Sequence, residues 1–360
     1  MKKYILLNPG PVNIKESVRK ALMAPDMCHR EPEFSSLLLS CAKKLLRAFS
    51  VKGSYEAVFF TGSGTAALEA AVSSCVGPGR KILVVNNGVY GGRIAEIARR
   101  HNIGIVDLKS DIMRIPDMDS VEKRLKSDRS IAVVAMVHHE TSTGILNPVY
   151  KAGALCRKYG KLFLLDSISA LGGEDINLKK ANVDLCVGTA NKCIEAVPGV
   201  SFVLVSRTAL AAVKGMRPRT LYFDIPSNLK SQKEGTPLFT PAVQIFFALE
   251  RALDELIKEG VTRRINRYRQ MAALLREGFE TAGFEYLIDP EYHSNTITAF
   301  LVPRGITYEK LHRTFKLKGF IIYAGQSKLK GNIFRIANMG QISRSDANRI
   351  INIAKGLMKE

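Results

Sequence analysis

Residues 131–166 read IAVVAMVHHETSTGILNPVYKAGALCRKYGKLFLLD. The first seven residues are all apolar and rich in β-branched side chains, and residues 162–165 form a second apolar run. Such runs are typical of strands that are buried on both faces of a parallel sheet. Residues 148–159, which lie between them, have the pattern of a helix with a proline near its start. The stretch therefore predicts a strand–helix–strand unit with parallel strands.

The same alternation continues on both sides of this unit, from about residue 55 to residue 205. Further strands are predicted at residues 57–60, 81–85 and 104–107, with helical stretches between them. Strands that alternate with helices indicate an α/β fold in which a mostly parallel central sheet is flanked by helices. Sheets of this kind bind ligands at the carboxyl ends of their strands, so polar residues at those ends are candidate site residues.

The pattern changes from about residue 240. Residues 241–260 read as one long amphipathic helix, with proline in its first turn and glycine at its end. A second helix at residues 264–278 and strand-like runs at residues 296–300 and 319–323 predict a smaller α+β domain. We expect the chain to divide into a large α/β domain and a small domain, formed respectively by residues 16–245 and by residues 1–15 with 246–360.

The composition is that of an ordinary globular protein. With 46% apolar and 24% charged residues in a chain of 360, disordered, collagen-like and disulfide-scaffold classes are excluded. The six cysteines form no C-x-x-C pair and the histidines lack the spacing of helical metal ligands, so we expect free thiols and no metal site. No apolar run approaches the roughly 20 residues of a membrane helix, and the apolar N-terminal stretch is too short for a signal peptide. We therefore expect a soluble, cytoplasmic protein without a membrane partner.

The net charge is +20, which indicates either a nucleic-acid partner or an anionic small substrate. The basic residues are spread over the whole chain, and the densest patch, residues 263–269, has helical spacing typical of a solvated face. The hypothesis of a basic nucleic-acid-binding protein would rest on the net charge alone. We therefore expect no nucleic-acid partner, and we retain that class only as an alternative.

A glycine-rich turn, TGSGTAA at residues 61–67, stands between a predicted strand and a predicted helix. Backbone N–H groups at such a helix start favour a phosphate. The turn also matches the G-x-G-x-x-A pattern of dinucleotide-binding proteins, and it could be a tight turn without a ligand. The dinucleotide pattern needs an acidic residue about 20 positions later, where this chain has Asn86 and Asn87. An NAD-dependent dehydrogenase is therefore disfavoured, and phosphate binding is preferred over the empty turn.

Three further residues follow predicted strands in order: Tyr90, Asp166 and Lys192. Taken singly, Tyr90 would be a packing residue, Asp166 a helix N-cap and Lys192 a surface residue. Together with the phosphate turn, they are the parts that pyridoxal phosphate needs. A lysine forms the covalent link, a carboxylate keeps the pyridine nitrogen protonated, and an aromatic ring stacks on the cofactor.

The chain resembles the class V branch of the fold-type I aminotransferases. The nearest groups are the 2-aminoethylphosphonate–pyruvate aminotransferases and the alanine/serine–glyoxylate aminotransferases. The resemblance covers nearly the whole chain through short motifs in a fixed order: LNPGP at residues 7–11, SGT at 63–65, HETSTG at 139–144, DS at 166–167, LGG at 171–173, NKCI at 191–194, FTP at 239–241 and FRI at 334–336.

The resemblance implies a role for each matching residue. Lys192 matches the Schiff-base lysine and acts as the catalytic residue, and Arg335 matches the arginine that holds the substrate carboxylate. Thr240 matches a threonine that reaches the phosphate of the neighbouring subunit, which implies a homodimer with shared sites. The implied residues that bind pyridoxal 5′-phosphate are Ser63, Gly64, Thr65, Tyr90, Thr141, Asp166, Asn191 and Thr240.

The substrate is predicted from finer resemblances. Residues 191–199, 139–148 and 319–323 are more similar to the aminoethylphosphonate enzymes, and a dianionic phosphonate suits the positive charge. Residues 324–326 read AGQ where that group has PGK, and CHREP at residues 28–32 is similar to the serine/alanine–glyoxylate side. The predicted activity is a ping-pong transfer between 2-aminoethylphosphonate and pyruvate, in either direction, with alanine/serine–glyoxylate transamination as the alternative. A cysteine desulfurase is disfavoured because it would carry histidine in place of Tyr90.

Overall fold

The computed structural model describes residues 3–359 as a central sheet with helices on both faces and a smaller sheet beside it. The strands of this part of the chain are β1 (Ile5–Leu6), β2 (Tyr55–Thr61), β3 (Lys81–Asn86), β4 (Gly104–Lys109), β5 (Ile131–Val137), β6 (His139–Glu140), β7 (Ile145–Leu146), β8 (Leu162–Asp166), β9 (Leu185–Thr189), β10 (Val200–Ser206), β11 (Ile297–Leu301), β12 (Phe320–Ile321), β13 (Tyr323–Ala324) and β14 (Ile333–Ala337). The α-helices are α1 (Glu16–Lys20), α2 (Pro32–Ala48), α3 (Gly64–Cys75), α4 (Val89–Arg100), α5 (Met118–Ser127), α6 (Val149–Lys158), α7 (Arg207–Val213), α8 (Ile225–Lys233), α9 (Val243–Glu259), α10 (Val261–Thr281), α11 (Tyr308–Leu317) and α12 (Arg344–Leu357).

The central sheet has seven strands among the described residues, in the order β2-β10-β9-β8-β5-β3-β4. Only β10 runs antiparallel to its neighbours β2 and β9, so the predicted mostly parallel sheet is confirmed. The predicted strand–helix–strand unit is β5, α6 and β8, and β5 begins and ends at the predicted residues.

The apolar runs of the sequence arise because the sheet is covered on both faces. In β5, Val134 and Met136 pack into the core on one face, together with α2 and α9. Val133 and Ala135 of the same strand pack into the core on the other face, with α3 and α4. Successive side chains of a strand point to opposite faces, so a strand between two cores has no polar position to expose.

The smaller sheet, β11-β14-β13, carries an aromatic core with α10, α11 and α12. Phe300 stacks on both Phe279 and Phe334 in this core, with ring centroids of Phe279 and Phe300 4.7 Å apart. The start of the chain joins the same region, because β1 pairs in parallel with β12. Helix α9 packs its apolar face against α2 and the large sheet, although the predicted boundary at residue 245 places most of it in the small domain. The division into two domains stays a prediction.

The fold brings several strand ends to one edge of the central sheet. Strands β3, β5, β8 and β9 are mutually parallel and end at Asn86, Val137, Asp166 and Thr189. Helix α3 begins at the end of β2, which is parallel to them. The candidate residues that follow these strands therefore meet at this edge. Within residues 3–359, no helix combines the length and the apolar character that a membrane crossing requires.

Candidate active site

Lys192 lies in a tight turn that follows β9. Backbone hydrogen bonds close the turn, from Ala196 N–H to the Ala190 carbonyl at 2.9 Å and from Glu195 N–H to the Lys192 carbonyl at 2.9 Å. Gly10 lies directly against the lysine side chain: a Cβ atom on Gly10 would stand 2.7 Å from Cδ of Lys192. Burial lowers the pKa of Lys192 to about 8, with Arg335 acting in the same direction and Asp166 opposing it. Lys192 is thus far less basic than an ordinary lysine.

Asp166 ends β8 and is buried, with 3% of its surface exposed. Its Oδ1 accepts a hydrogen bond from Ile168 N–H at 3.0 Å, and its backbone carbonyl accepts one from His138 N–H at 2.8 Å. Burial raises the pKa of the carboxyl to about 6, and Lys192 counteracts the shift. The reading of Asp166 as a helix N-cap is wrong, because the chain after it turns sharply and forms no helix. The carboxylate is therefore available to a ligand.

The glycine-rich turn ends at the N-terminus of α3. Ser63 is the N-cap residue, but its exposed hydroxyl makes no hydrogen bond to the helix. The backbone N–H groups of Gly64 and Thr65 have no acceptor among residues 3–359. These donors and the positive end of a 12-residue helix form an anion-binding turn.

Tyr90 stands at the start of α4 and is held there by the buried carboxylate of Glu140. Oε2 of Glu140 accepts hydrogen bonds from the N–H groups of Tyr90 and Gly91 at 3.1 and 3.3 Å. Its Oε1 accepts two more, from the N–H and the hydroxyl of Ser142 at 3.2 and 2.5 Å. Burial raises the pKa of Glu140 despite these four donors. Arg93 lies over the Tyr90 ring, with its guanidinium carbon 4.7 Å from the ring centroid.

Arg335 comes from β14 in the smaller sheet and is completely buried. Its Nη1 donates to the Thr141 carbonyl at 2.7 Å, while Nε and Nη2 donate to the Ala324 carbonyl at 3.1 and 2.7 Å. A guanidinium has five N–H donors, so one remains on each Nη atom. Burial lowers the pKa of Arg335 from its usual value, but an arginine stays charged at any physiological pH. These two remaining donors are available to an anionic ligand, and a guanidinium is the group that pairs with carboxylates in proteins.

Thr141, Asn191 and Thr240 complete the predicted set. The Thr141 hydroxyl is buried and has no hydrogen-bond partner among residues 3–359. Asn191 adjoins Lys192, and its Oδ1 accepts a hydrogen bond from the Thr189 hydroxyl at 2.9 Å. Thr240 is exposed on the segment before α9, and no described contact joins it to the Lys192 cluster within one chain. The structure therefore brings the other predicted residues to one edge of the sheet and leaves Thr240 outside.

Two residues of this region were not predicted from the sequence, Arg93 and Glu140. Arg93 follows Tyr90 by three positions on a helix, and this spacing places both side chains on one face. That spacing could have indicated the pair once the helix was recognised. The function of Glu140 depends on contacts with α4, 50 positions earlier in the chain, and no local pattern indicates them.

The residues of the site suit pyridoxal phosphate on their chemistry alone. The turn at α3 offers free N–H groups to a phosphate, and the unpaired Thr141 hydroxyl offers a hydrogen bond to a polar ring substituent. Asp166 offers a carboxylate to a ring nitrogen. Lys192 offers an amine whose lowered pKa favours its reactive neutral form. A phosphate, a ring with a basic nitrogen and a carbonyl would each find a partner here.

Comparisons with known proteins agree with this site. The family model described as aminotransferase class-V matches residues 21–344. A 2-aminoethylphosphonate–pyruvate transaminase of Salmonella paratyphi B is 34% identical over 363 positions, which cover 99% of this chain and 98% of that protein. The solved alanine–glyoxylate aminotransferase of Nostoc sp. has a TM-score of 0.94 at 26% identity, and the match covers 99% of this chain and 96% of the Nostoc chain. The solved aspartate aminotransferase of Thermus thermophilus has a TM-score of 0.90 at 29% identity, and the match covers 98% of this chain and 99% of the Thermus chain. The chain therefore belongs to the class-V aminotransferase family and is a pyridoxal phosphate-dependent transaminase.

Proposed function

We propose that the enzyme transfers the amino group between 2-aminoethylphosphonate and pyruvate, so that the second pair of compounds is phosphonoacetaldehyde and alanine. The observation that carries this proposal is the 34% identity to a transaminase of that name over essentially the whole of both chains. The charge of the enzyme supports it, because both proposed substrates carry anionic groups and the net charge is +20.

Arg335 is proposed to bind the carboxylate of the keto acid. Its two uncommitted N–H donors are held in place because three other donors are bound to the carbonyls of Thr141 and Ala324. A guanidinium fixed in this way loses little freedom when the carboxylate binds. The same fork would accept two oxygens of a phosphonate, so Arg335 suits both halves of the reaction.

Lys192 is proposed as the residue that moves the proton at the substrate carbon. Burial holds its pKa at about 8, so about a tenth of the amine is neutral at pH 7, far more than for an ordinary lysine. Bound pyridoxal phosphate supplies the carbonyl that receives the amino group and an electron-withdrawing ring. Asp166 is proposed to hold a proton on the ring nitrogen, and Tyr90 to pack against the ring face. Replacing Lys192 by alanine should abolish turnover, and normal turnover in that variant would contradict its role.

The turn at the start of α3 is proposed to bind the cofactor phosphate through Ser63, Gly64 and Thr65, with Asn191 beside them. Thr141 is proposed to donate its free hydroxyl proton to the cofactor ring. Thr240 is proposed to act on the site of a second copy of the chain, which accounts for its exposed position in one chain. This role requires a homodimer with shared sites, and sedimentation or light scattering would test it.

The visible absorbance spectrum of the purified enzyme tests the proposed function. We expect a visible band from the bound cofactor that fades when 2-aminoethylphosphonate is added without a keto acid. The band should return when pyruvate is added, because the second half-reaction regenerates the starting form. Alanine should also fade the band if the reaction runs in both directions, whereas serine should not. A band that does not respond to 2-aminoethylphosphonate would refute the proposed donor.

A second candidate is transamination between alanine or serine and glyoxylate. The observation that favours it is the TM-score of 0.94 to the alanine–glyoxylate aminotransferase of Nostoc sp.. In the same experiment this activity would fade the band with serine or alanine and restore it with glyoxylate. Fading with 2-aminoethylphosphonate separates the two candidates, because only the first accepts a phosphonate donor.

A further inference from the structure

Arg93 contacts two residues of the proposed cofactor site at once. It is half-buried in the first turns of α4, and its guanidinium carbon lies 4.7 Å from the centroid of the Tyr90 ring. Its Nη1 donates a hydrogen bond to the Thr65 hydroxyl at 3.3 Å. Tyr90 and Thr65 belong to different helices, α4 and α3. One side chain therefore joins the aromatic wall of the site to its anion-binding turn.

The other positive charges of the site have different tasks. Lys192 is buried with a lowered pKa, and Arg335 has three of its donors committed to the carbonyls of Thr141 and Ala324. The turn itself, residues 61–65, contains no basic residue. Among residues 3–359, Arg93 forms no direct ion pair, and its charge acts on the Asp166 carboxyl only from a distance. In this part of the chain, Arg93 is thus a cation that contacts the turn without a directly paired carboxylate.

We propose that Arg93 is a positioning residue for the cofactor, which acts through the Thr65 hydroxyl and the Tyr90 ring. This inference rests on the roles proposed above for Thr65 and Tyr90. A hydroxyl that accepts a hydrogen bond from Arg93 keeps its own proton free to donate to an anion at the turn. A guanidinium over the Tyr90 ring holds the plane of the ring through a cation–π contact, which leaves the opposite face for the cofactor.

The charge of Arg93 also reaches the reacting groups. It acts to lower the pKa of Lys192 in the same direction as the larger effect of burial, and it acts to lower the pKa of Asp166 against the larger effect of burial, which raises it. Removal of this charge should therefore raise the pKa of the Lys192 nitrogen. A residue that served only to pack α4 against α3 would not shift that pKa.

The test measures two quantities on purified enzyme for the variants Arg93→Gln, Arg93→Lys and Arg100→Gln. The first is the Kd of pyridoxal phosphate, and the second is the pH midpoint at which the visible band titrates with the Lys192 nitrogen. Arg100→Gln is the matched control, because Arg100 is an exposed residue of the same helix that pairs with Glu96. We expect the control to match the wild type in both quantities.

Arg93→Gln removes the charge and the cation–π contact, and we expect the Kd of the cofactor to rise about tenfold. Its pH midpoint should move upwards. Arg93→Lys keeps the charge but not the planar fork, so its midpoint should stay near the wild-type value while its Kd rises by a smaller factor. A Kd within twofold of the wild type together with an unshifted midpoint in Arg93→Gln would overturn the proposal.

Two further variants separate this inference from the roles on which it rests. Thr65→Val should by itself raise the Kd of the cofactor. The double variant Thr65→Val with Arg93→Gln should raise the Kd by less than the product of the two single increases, because both substitutions remove the same Arg93–Thr65 hydrogen bond. If Thr65→Val and Tyr90→Leu leave the Kd unchanged, the proposed cofactor roles of these residues fail. If they raise the Kd while Arg93→Gln does not, only the inference about Arg93 fails. If Arg93→Gln does not fold, the effects of Arg93→Lys on the Kd and on its coupling with Thr65→Val decide the question.

Discussion

Replacing Gly10 by alanine should damage catalysis far more than it damages folding. Gly10 has φ +129°, and a Cβ atom built on it would stand 2.7 Å from Cδ and 2.8 Å from Cε of Lys192. Carbon atoms that are not bonded prefer a separation of about 3.5–4.0 Å, so the lysine side chain must move by about 1 Å. A displacement of about 1 Å at a reacting group can cost roughly 100-fold in rate. We therefore expect kcat to fall about 100-fold when the lysine side chain, and not the backbone, yields to the new methyl group.

The backbone of Gly10 adds a separate cost in stability. An alanine at positive φ is destabilised by roughly 1–2 kcal/mol, whatever it contacts. Gly53 provides the matched control, because it has φ +80° and a methyl group placed on it would meet no atom within 4 Å. Gly53→Ala should therefore lose a similar free energy of unfolding and keep the wild-type kcat.

The assay compares steady-state kcat, the cofactor band and the urea midpoint of the two variants with the wild type. Gly10→Ala should retain a folded transition and bind the cofactor, but its kcat should be about 100-fold lower. If Gly10→Ala and Gly53→Ala have the same kcat, Gly10 does not position Lys192 and the reasoning is refuted. A variant with high activity and a greatly lowered urea midpoint would lead to the same conclusion.

Three other changes test separate parts of the site. Arg335→Ala should raise the KM for the keto acid about 100-fold, because a bidentate charged pair contributes roughly 3 kcal/mol to binding, and it should leave the cofactor band unchanged. A KM within threefold of the wild-type value would show that Arg335 does not bind the keto acid. Glu140→Gln should lower the free energy of unfolding by about 1–3 kcal/mol in urea titrations, because an amide cannot accept hydrogen bonds from all four donors around it. An unchanged free energy of unfolding would show that the carboxylate of Glu140 is not needed for stability. Burial lowers the pKa of His138 to about 4, so below the unfolded pKa of 6.5 the unfolded chain binds more protons and stability is lost as the pH falls from about 6.5 to 4. The His138→Asn variant has no such group, so its free energy of unfolding should rise by up to about 3 kcal/mol relative to that of the wild type as the pH falls over that range. If the free energies of unfolding of the two proteins depend on pH in the same way, this prediction is wrong.

The central sheet could be predicted because its strands carry a strong local signal. Strand β5 begins and ends where the apolar run does, since both of its faces are buried in cores. The antiparallel direction of β10 could not be predicted, because VSFVLVS reads like any buried strand and its direction depends on which strands it joins. Helix α2 lies outside the alternation of strands and helices from which the fold was predicted.

The candidate site was predictable where its residues end a strand or form a motif. Lys192, Asp166 and Tyr90 follow apolar runs, and the parallel sheet brings such ends together for a geometric reason. Glu140 acts through contacts with a helix 50 positions earlier, which no local pattern indicates, whereas the spacing of Arg93 from Tyr90 indicates the pair only once the helix is recognised. The role of Thr240 stays a prediction, because it concerns a second copy of the chain.

The position of β10 sets the order in which the molecule can be completed during synthesis. Among residues 3–359, strand β2 pairs within the sheet only with β10, which is made about 140 residues later, and β1 pairs only with β12 near the other end of the chain. On the ribosome, β2 and the anion-binding turn after it must therefore wait unpaired until residue 206 has emerged. The anion-binding turn follows β2 and Lys192 follows β9, and β10 is the strand that joins these two strands. The nascent chain therefore brings the turn and Lys192 together only after β10 has been synthesised. We therefore expect pyridoxal phosphate to bind only after β10 has joined β2 to the other strands of the central sheet, so that it stabilises a sheet already formed and does not nucleate it.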